Sequence, residues 1–152
     1  MTDAAAPTVR FYYNSAQPLA LASELLAKLH ASRPQGRTLV RLPDAGTLDA
    51  LDRLLWQQHD FLPHVPLDAA HAPQTPICLT AALDRPAPAG FDTCLNLAPQ
   101  PAPPHNFAQH QLIIEIIPDH ENDRIPARHR WHAYRQAGCT LKPFDAKTRS
   151  AL

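Results

Sequence analysis

Hydrophobic positions along this chain recur at two different periods. "TVRFYY" (8–13) is short, β-branched and aromatic, bounded by Pro7 and Asn14, and predicts a strand. Leu19, Ala22, Leu26 and Leu29 then recur at helical spacing, with Ser15 as the expected cap and Pro34 and Gly36 closing the helix. "RTLVRL" (37–42) predicts a second strand. Leu48, Leu51 and Leu55 form the inward stripe of a second helix, capped by Thr47 and ending near Gln58.

The middle of the chain is less periodic. "FLPHVPL", "HAPQTP", "RPAPAG" and "APQPAPPH" hold most of the 17 prolines. Proline fixes φ and removes a donor, so these stretches predict stiff loops. Between and after them "PICLT" (76–80), "DTCLNL" (92–97) and "QLIIEIIP" (111–118) bring the expected strands to five. A last helix is expected from Asn122 or Asp123 to Gly138, with Pro126 in its first turn, and "TLKPF" follows as a short extended piece. Strands alternating with helices predict an α/β fold: a single-domain, Rossmann-like open sheet, mainly parallel and flanked by helices, over residues 8–144. Residues 1–7 and 145–152 are expected to be flexible ends.

Composition fits this picture. The 152 residues, 45% of them apolar, suffice for one core. Lys and Arg balance Asp and Glu at 14 each, so no overall field favours nucleic acid or an anionic membrane. The balance is uneven along the chain. From Arg124 to Arg149 five Arg and two Lys face only Asp145, a local net of +6 against −6 elsewhere. Cys78, Cys94 and Cys139 are odd in number and far apart, which argues against a disulfide framework or a structural zinc site. With no leader-like start and no long apolar run, a soluble cytoplasmic protein is expected.

An open α/β sheet raises the question of nucleotide chemistry. The four glycines, Gly36, Gly46, Gly90 and Gly138, are scattered, so neither phosphate-cradling glycine motif can be written and no cofactor is expected. His129 and His132 stand at i, i+3, but a catalytic zinc needs a third protein ligand. No serine occupies a nucleophile motif. An enzyme using the sheet's crevice therefore ranks last.

The final helix reads better as a binding surface. At about 100° per residue, Arg124, Arg128, Trp131, His132 and Arg135 fall within an arc of roughly 100°, while Ala127, Ala133, Tyr134 and Ala137 lie opposite. The first set is expected to face solvent. Guanidinium forks grip carboxylates and an indole offers a large rigid contact, so the expected ligand is acidic and aromatic. Single-stranded nucleic acid, which also likes cations among aromatics, is the alternative. A second surface is less clear. Trp56 lies off the inward stripe of its helix and leads into Phe61, Leu62, Pro63 and Val65, either a lid on the core or a docking patch.

"VRFYY", "LDRLLWQQHDFLPH", "IIEIIPD" and above all "ARHRWHAYRQAG" resemble, in sequence and in order, the chi subunit family of bacterial DNA polymerase III. The likeness runs from about residue 8 to residue 144 and implies a non-enzymatic clamp-loader adaptor. It implies binding of the acidic C-terminal tail of single-stranded DNA-binding protein, whose last residue is phenylalanine. Ile117 and Trp131 would form an apolar notch, and Arg124, Arg128, His132 and Arg135 would supply donors. It also implies docking on the psi subunit through Trp56, Phe61, Leu62 and Pro63, with a monomer alone and a heterodimer with psi. Nucleic acid would be met mainly through these partners. His132 stands where the family often has lysine, and an imidazole is mostly neutral at pH 7, so mild acidification is expected to strengthen tail binding. Trp131 replaces a family tyrosine.

Overall fold

The structure, a computed structural model, describes residues 6–148. The chain runs β1 (Thr8–Ser15), α1 (Pro18–Ser32), β2 (Thr38–Arg41), α2 (Ala45–Gln58), β3 (His64–Pro66), β4 (Ile77–Thr80), β5 (Thr93–Asn96), β6 (Leu112–Pro118), α3 (Glu121–Gln136) and β7 (Thr140–Asp145). The strands form one sheet in the order β3-β4-β2-β5-β6-β1-β7, with every pairing parallel. An open α/β sheet is therefore present as expected.

Seven strands replace the five expected. The two additional ones, β3 and β7, are the outermost strands. β3 is three residues long and ends in a proline, too short to show a period. β7 is the extended piece "TLKPF" plus Asp145, and it completes the pairing of β1. Thr140 N–H donates to Pro7 O and Ala146 N–H to Tyr13 O, so even positions face β1 and odd positions face outward. Pro143 stands at an outward position and has no N–H to offer, which blunts the edge against another strand.

The alternation along each strand divides the core. Val40, Leu42, Leu79, Leu95, Ile114 and Ile116 meet α1 and α2 on one face, through Leu21, Leu25, Leu26, Leu29, Leu51 and Leu55. The odd-numbered partners Val9, Phe11, Ile113 and Ile117 meet α3 on the other, through Ala127 and Tyr134. Among the described residues no α-helix covers the rest of that second face. The proline-rich segments do so instead, with Phe91, Ala72 and Ala87 packed on Leu39 and Cys78. Leu39 and Cys78 are almost fully buried beneath these segments, which include the 3-10 turn Ala72–Gln74.

Helix starts differ from expectation in each case. Ser15 ends β1, and α1 begins at Pro18 behind Gln17 without a side-chain cap. Asp44, not Thr47, caps α2, accepting from Thr47 N–H at 2.7 Å and Thr47 Oγ1 at 2.8 Å. α3 starts at Glu121, where His120 Nδ1 accepts from Asn122 N–H at 3.2 Å and two acids favour the positive helix end. Pro126 consequently stands beyond the first turn. Gly138 does take the left-handed position after the helix, at φ 85°.

The ends are more closely held than expected. Pro7 is buried, and Asp145 belongs to β7. Lys147 Nζ reaches Asp119 Oδ2 at 3.2 Å. Residues 1–5 and 149–152, the remainder of the expected flexible ends, lie outside the described residues.

Candidate binding site on the last helix

The inward face of α3 carries Ala127, Arg130 and Tyr134, spaced by three and four residues. Arg130 is only 3% exposed and meets Glu115, which is fully buried in the middle of β6. Arg130 Nε donates to Glu115 Oε1 at 3.0 Å, while Tyr134 OH and Asn96 Nδ2 donate to Oε2 at 2.7 and 2.9 Å. Burial, and next the charge of Glu115, raise the Tyr134 phenol well above its ordinary range, so it stays a donor. The carboxylate inside "IIEII" thus receives three donors, two of them from α3. These bonds fix the rotation of the helix.

That rotation aims the opposite side outward. Trp131 is partly buried, not clear of the protein: its indole stands edge-on to Phe11, with ring centroids 5.0 Å apart at 82°. Together with Ile117, which is 2% exposed, and Phe11, it forms one side of an open pocket of about 290 Å³. Arg124 and Arg128 line the same pocket from α3, and Tyr13, Asn14 and Pro143 line it from the β1 and β7 side. Asn14 sits there at φ 60°, a conformation that asparagine tolerates better than most residues. The pocket has apolar walls and two guanidinium groups in its lining.

The arginines differ in how free they are. Arg124 is held by Asp119 and by Glu121, the latter at 3.2 Å. Arg128 is 67% exposed, with Glu121 at 4.0 Å as its nearest acid. His132 and Arg135 are exposed but are not among the pocket-lining residues. Of the six residues expected from sequence, Ile117, Arg124, Arg128 and Trp131 are therefore brought together, and His132 and Arg135 lie exposed farther along the helix. Phe11, Tyr13, Asn14 and Pro143 were not foreseen, although "RFYYN" was visible as an aromatic strand.

The middle patch also divides. Trp56 is 61% exposed, beside the ring of His64 at 4.6 Å, and Phe61 is 93% exposed. Pro63 is exposed as well. Leu62 is 6% exposed and belongs to the core under α2, which removes it from any docking surface. Lid and exposed patch are thus adjacent residues of one loop.

Burial governs the thiols. It pushes Cys94 up to about 12 and raises Cys78 and Cys139, so none is a ready nucleophile. Among the described residues no three His, Cys, Asp or Glu side chains gather into a metal-binding cluster. None of the described helices is long and apolar enough to cross a membrane.

Fold and site together define an open parallel α/β domain whose second face presents an arginine-lined apolar pocket. The family model described as DNA polymerase III chi subunit, HolC, matches residues 7–142, and the chain belongs to that family. This family is a non-catalytic accessory part of the polymerase, with a role in DNA replication. No curated protein matches the chain. Solved structures share its fold. They include S. cerevisiae Dbp5 bound to RNA and ADP BeF3, at 14% identity and TM-score 0.60 over 95% of this chain. The C-terminal domain of the DEAD-box protein Dbp5 matches at 13% identity and TM-score 0.56, over 95% of this chain and 92% of that one. The chain spans 42% of the first of these, and likeness at such identity is one of fold alone.

Proposed function

We propose that this subunit is an adaptor that binds the acidic C-terminal tail of single-stranded DNA-binding protein on α3 and docks on the psi subunit through Trp56, Phe61 and Pro63. It works in the cytoplasm, linking coated DNA to the clamp loader. The observation that carries the tail reading is the single pocket lined by Ile117, Phe11, Trp131, Arg124 and Arg128. A terminal phenylalanine ring fits the apolar walls, and its carboxylate pairs with a guanidinium fork. His132 and Arg135 then act on the acidic residues upstream.

Direct binding of single-stranded nucleic acid fits the site less well. Its cations occupy one helix and alternate with Glu121, and a phosphate backbone needs a longer basic track.

The test is fluorescence anisotropy of a labelled acidic peptide ending in phenylalanine. Binding at roughly micromolar Kd that weakens with salt and is lost in Arg128→Ala supports the reading. Equal binding of the C-terminally amidated peptide contradicts the carboxylate role, and tighter binding of an oligonucleotide favours the nucleic-acid alternative.

A further inference from the structure

A groove separate from the α3 pocket lies where β2 and β4 end, beside the loops that cover part of the second face. It has a volume of about 500 Å³, over β2 and β4 and under residues 81–88 and 104–110. Leu67, Pro86 and Ala87 give it apolar walls over the buried Leu39 and Leu79. Two of its polar side chains are buried, Arg41 at 5% and His110 at 1% exposure.

Among the described residues no carboxylate forms an ion pair with Arg41. Its Nη1 donates to Asn96 Oδ1 at 2.9 Å and its Nη2 to Gln100 Oε1 at 3.3 Å, both neutral amides. The acid reached through Asn96 is Glu115, which Arg130 already holds at 3.0 Å. Two buried guanidinium groups thus share one carboxylate, and a buried cation without an anion is costly. The Cys94 thiol, pushed up to about 12, supplies no negative charge.

His110 points to the same conclusion from a different atom. Its Nδ1 lies 2.7 Å from Phe91 O, so the proton sits there and Nε2 is left as an acceptor. Nε2 is buried and has no partner among the described residues. Burial lowers the imidazole's affinity for a proton, which keeps that lone pair available. Arg85 is an exposed cation in the lining and Asp68 an exposed acid at its rim, so the buried Arg41 is the cation that decides the site.

We propose that this groove binds a small organic anion with an apolar body, its acid group on Arg41 and an adjacent hydroxyl or amine donating to His110 Nε2. A groove of this size accepts such a molecule, and a guanidinium reads carboxylate and phosphate oxygens alike.

The experiment is an amide NMR titration of the full chain with phenyllactate, phenyl phosphate, phenylpropionate and the uncharged phenylethanol. Saturable shifts at Ala82, Ala87 and His110 are expected from phenyllactate or phenyl phosphate, and the tighter of the two identifies the acid group. Phenylpropionate, lacking the hydroxyl, binds roughly five- to tenfold more weakly. Ala82→Trp, at an exposed position in the lining, abolishes the shifts without unfolding the protein. Arg41→Gln tests the cation directly. Because Arg41 lies in a buried network, Arg85→Ala provides a second variant, with several-fold weaker binding expected. The proposal is overturned if no acid gives saturable shifts, if phenylethanol binds as well as the acids, or if binding survives Ala82→Trp.

Discussion

Arg130 on α3 and Glu115 on β6 meet at 3.0 Å with both side chains out of solvent, and this contact sets where the neighbouring Trp131 points. A helix held only by small residues could rotate on the sheet. Here a guanidinium and a phenol from successive turns reach one carboxylate, so the exposed side of α3 follows from its buried side.

Glu115→Gln leaves Arg130 and Arg41 buried with no anion between them. A loss of about 3–5 kcal/mol is expected in urea unfolding. Tyr134→Phe, which removes one donor to that carboxylate, costs about 1.5–3 kcal/mol. Changes within the error of the unfolding curves in both variants would show that the network does not hold the helix.

Glu121 stands beside both pocket arginines, at 3.2 Å from Arg124 and 4.0 Å from Arg128. On the proposed reading it competes with an incoming acidic chain. Glu121→Gln is expected to tighten the acidic peptide about two- to fivefold at low salt, an effect on the scale of one exposed ion pair. Anisotropy titrations at two salt concentrations check this, and weaker binding would contradict it.

Asp119 joins the start of α3 to the residues after β7. The hydrogen bond from Lys147 is the main cause holding its carboxyl below the usual range, with Arg124 adding to it. A depressed folded value means that the contribution to stability is complete above about pH 5 and is lost as pH falls through that value. The urea midpoints of the parent and Asp119→Asn should therefore converge on acidification. A gap that stays constant with pH would rule out this linkage.

Phe61 and Leu62 allow the proposed docking to be tested apart from folding. Phe61→Ser, at a residue 93% exposed, is expected to change stability by less than about 0.5 kcal/mol and to weaken capture of psi. Leu62→Ala empties a core position and costs about 2–5 kcal/mol. Co-purification with psi and thermal unfolding, run on both variants, distinguish the two roles.

Five strands were legible because their apolar, β-branched runs carry their own signal. β3 escaped because "HVP" is too short for a period and lies among prolines, and β7 was read only as an extended piece, uncounted as a strand, because Lys142 and Pro143 are edge-strand residues without an apolar run. The stripe of α3 was read from helical spacing, but the burial of Arg130, three residues after Ala127 and four before Tyr134, was not. Its cause was the single acid in "IIEII", whose pairing with Arg130 and Tyr134 required the register of helix on sheet. The β1 and β7 side of the pocket was not legible, since it depends on β7 joining β1. Nor was the sidedness of the 61–63 loop, where adjacent apolar residues point oppositely.

The measurement that bears most directly on the α3 site is an NMR titration of the full chain with the acidic peptide ending in phenylalanine, followed at the Trp131 indole N–H and the Ile117 methyls. Saturable shifts at both, matched in concentration and absent with a peptide ending in alanine, are predicted. Binding that leaves the indole and Ile117 unmoved would contradict the account.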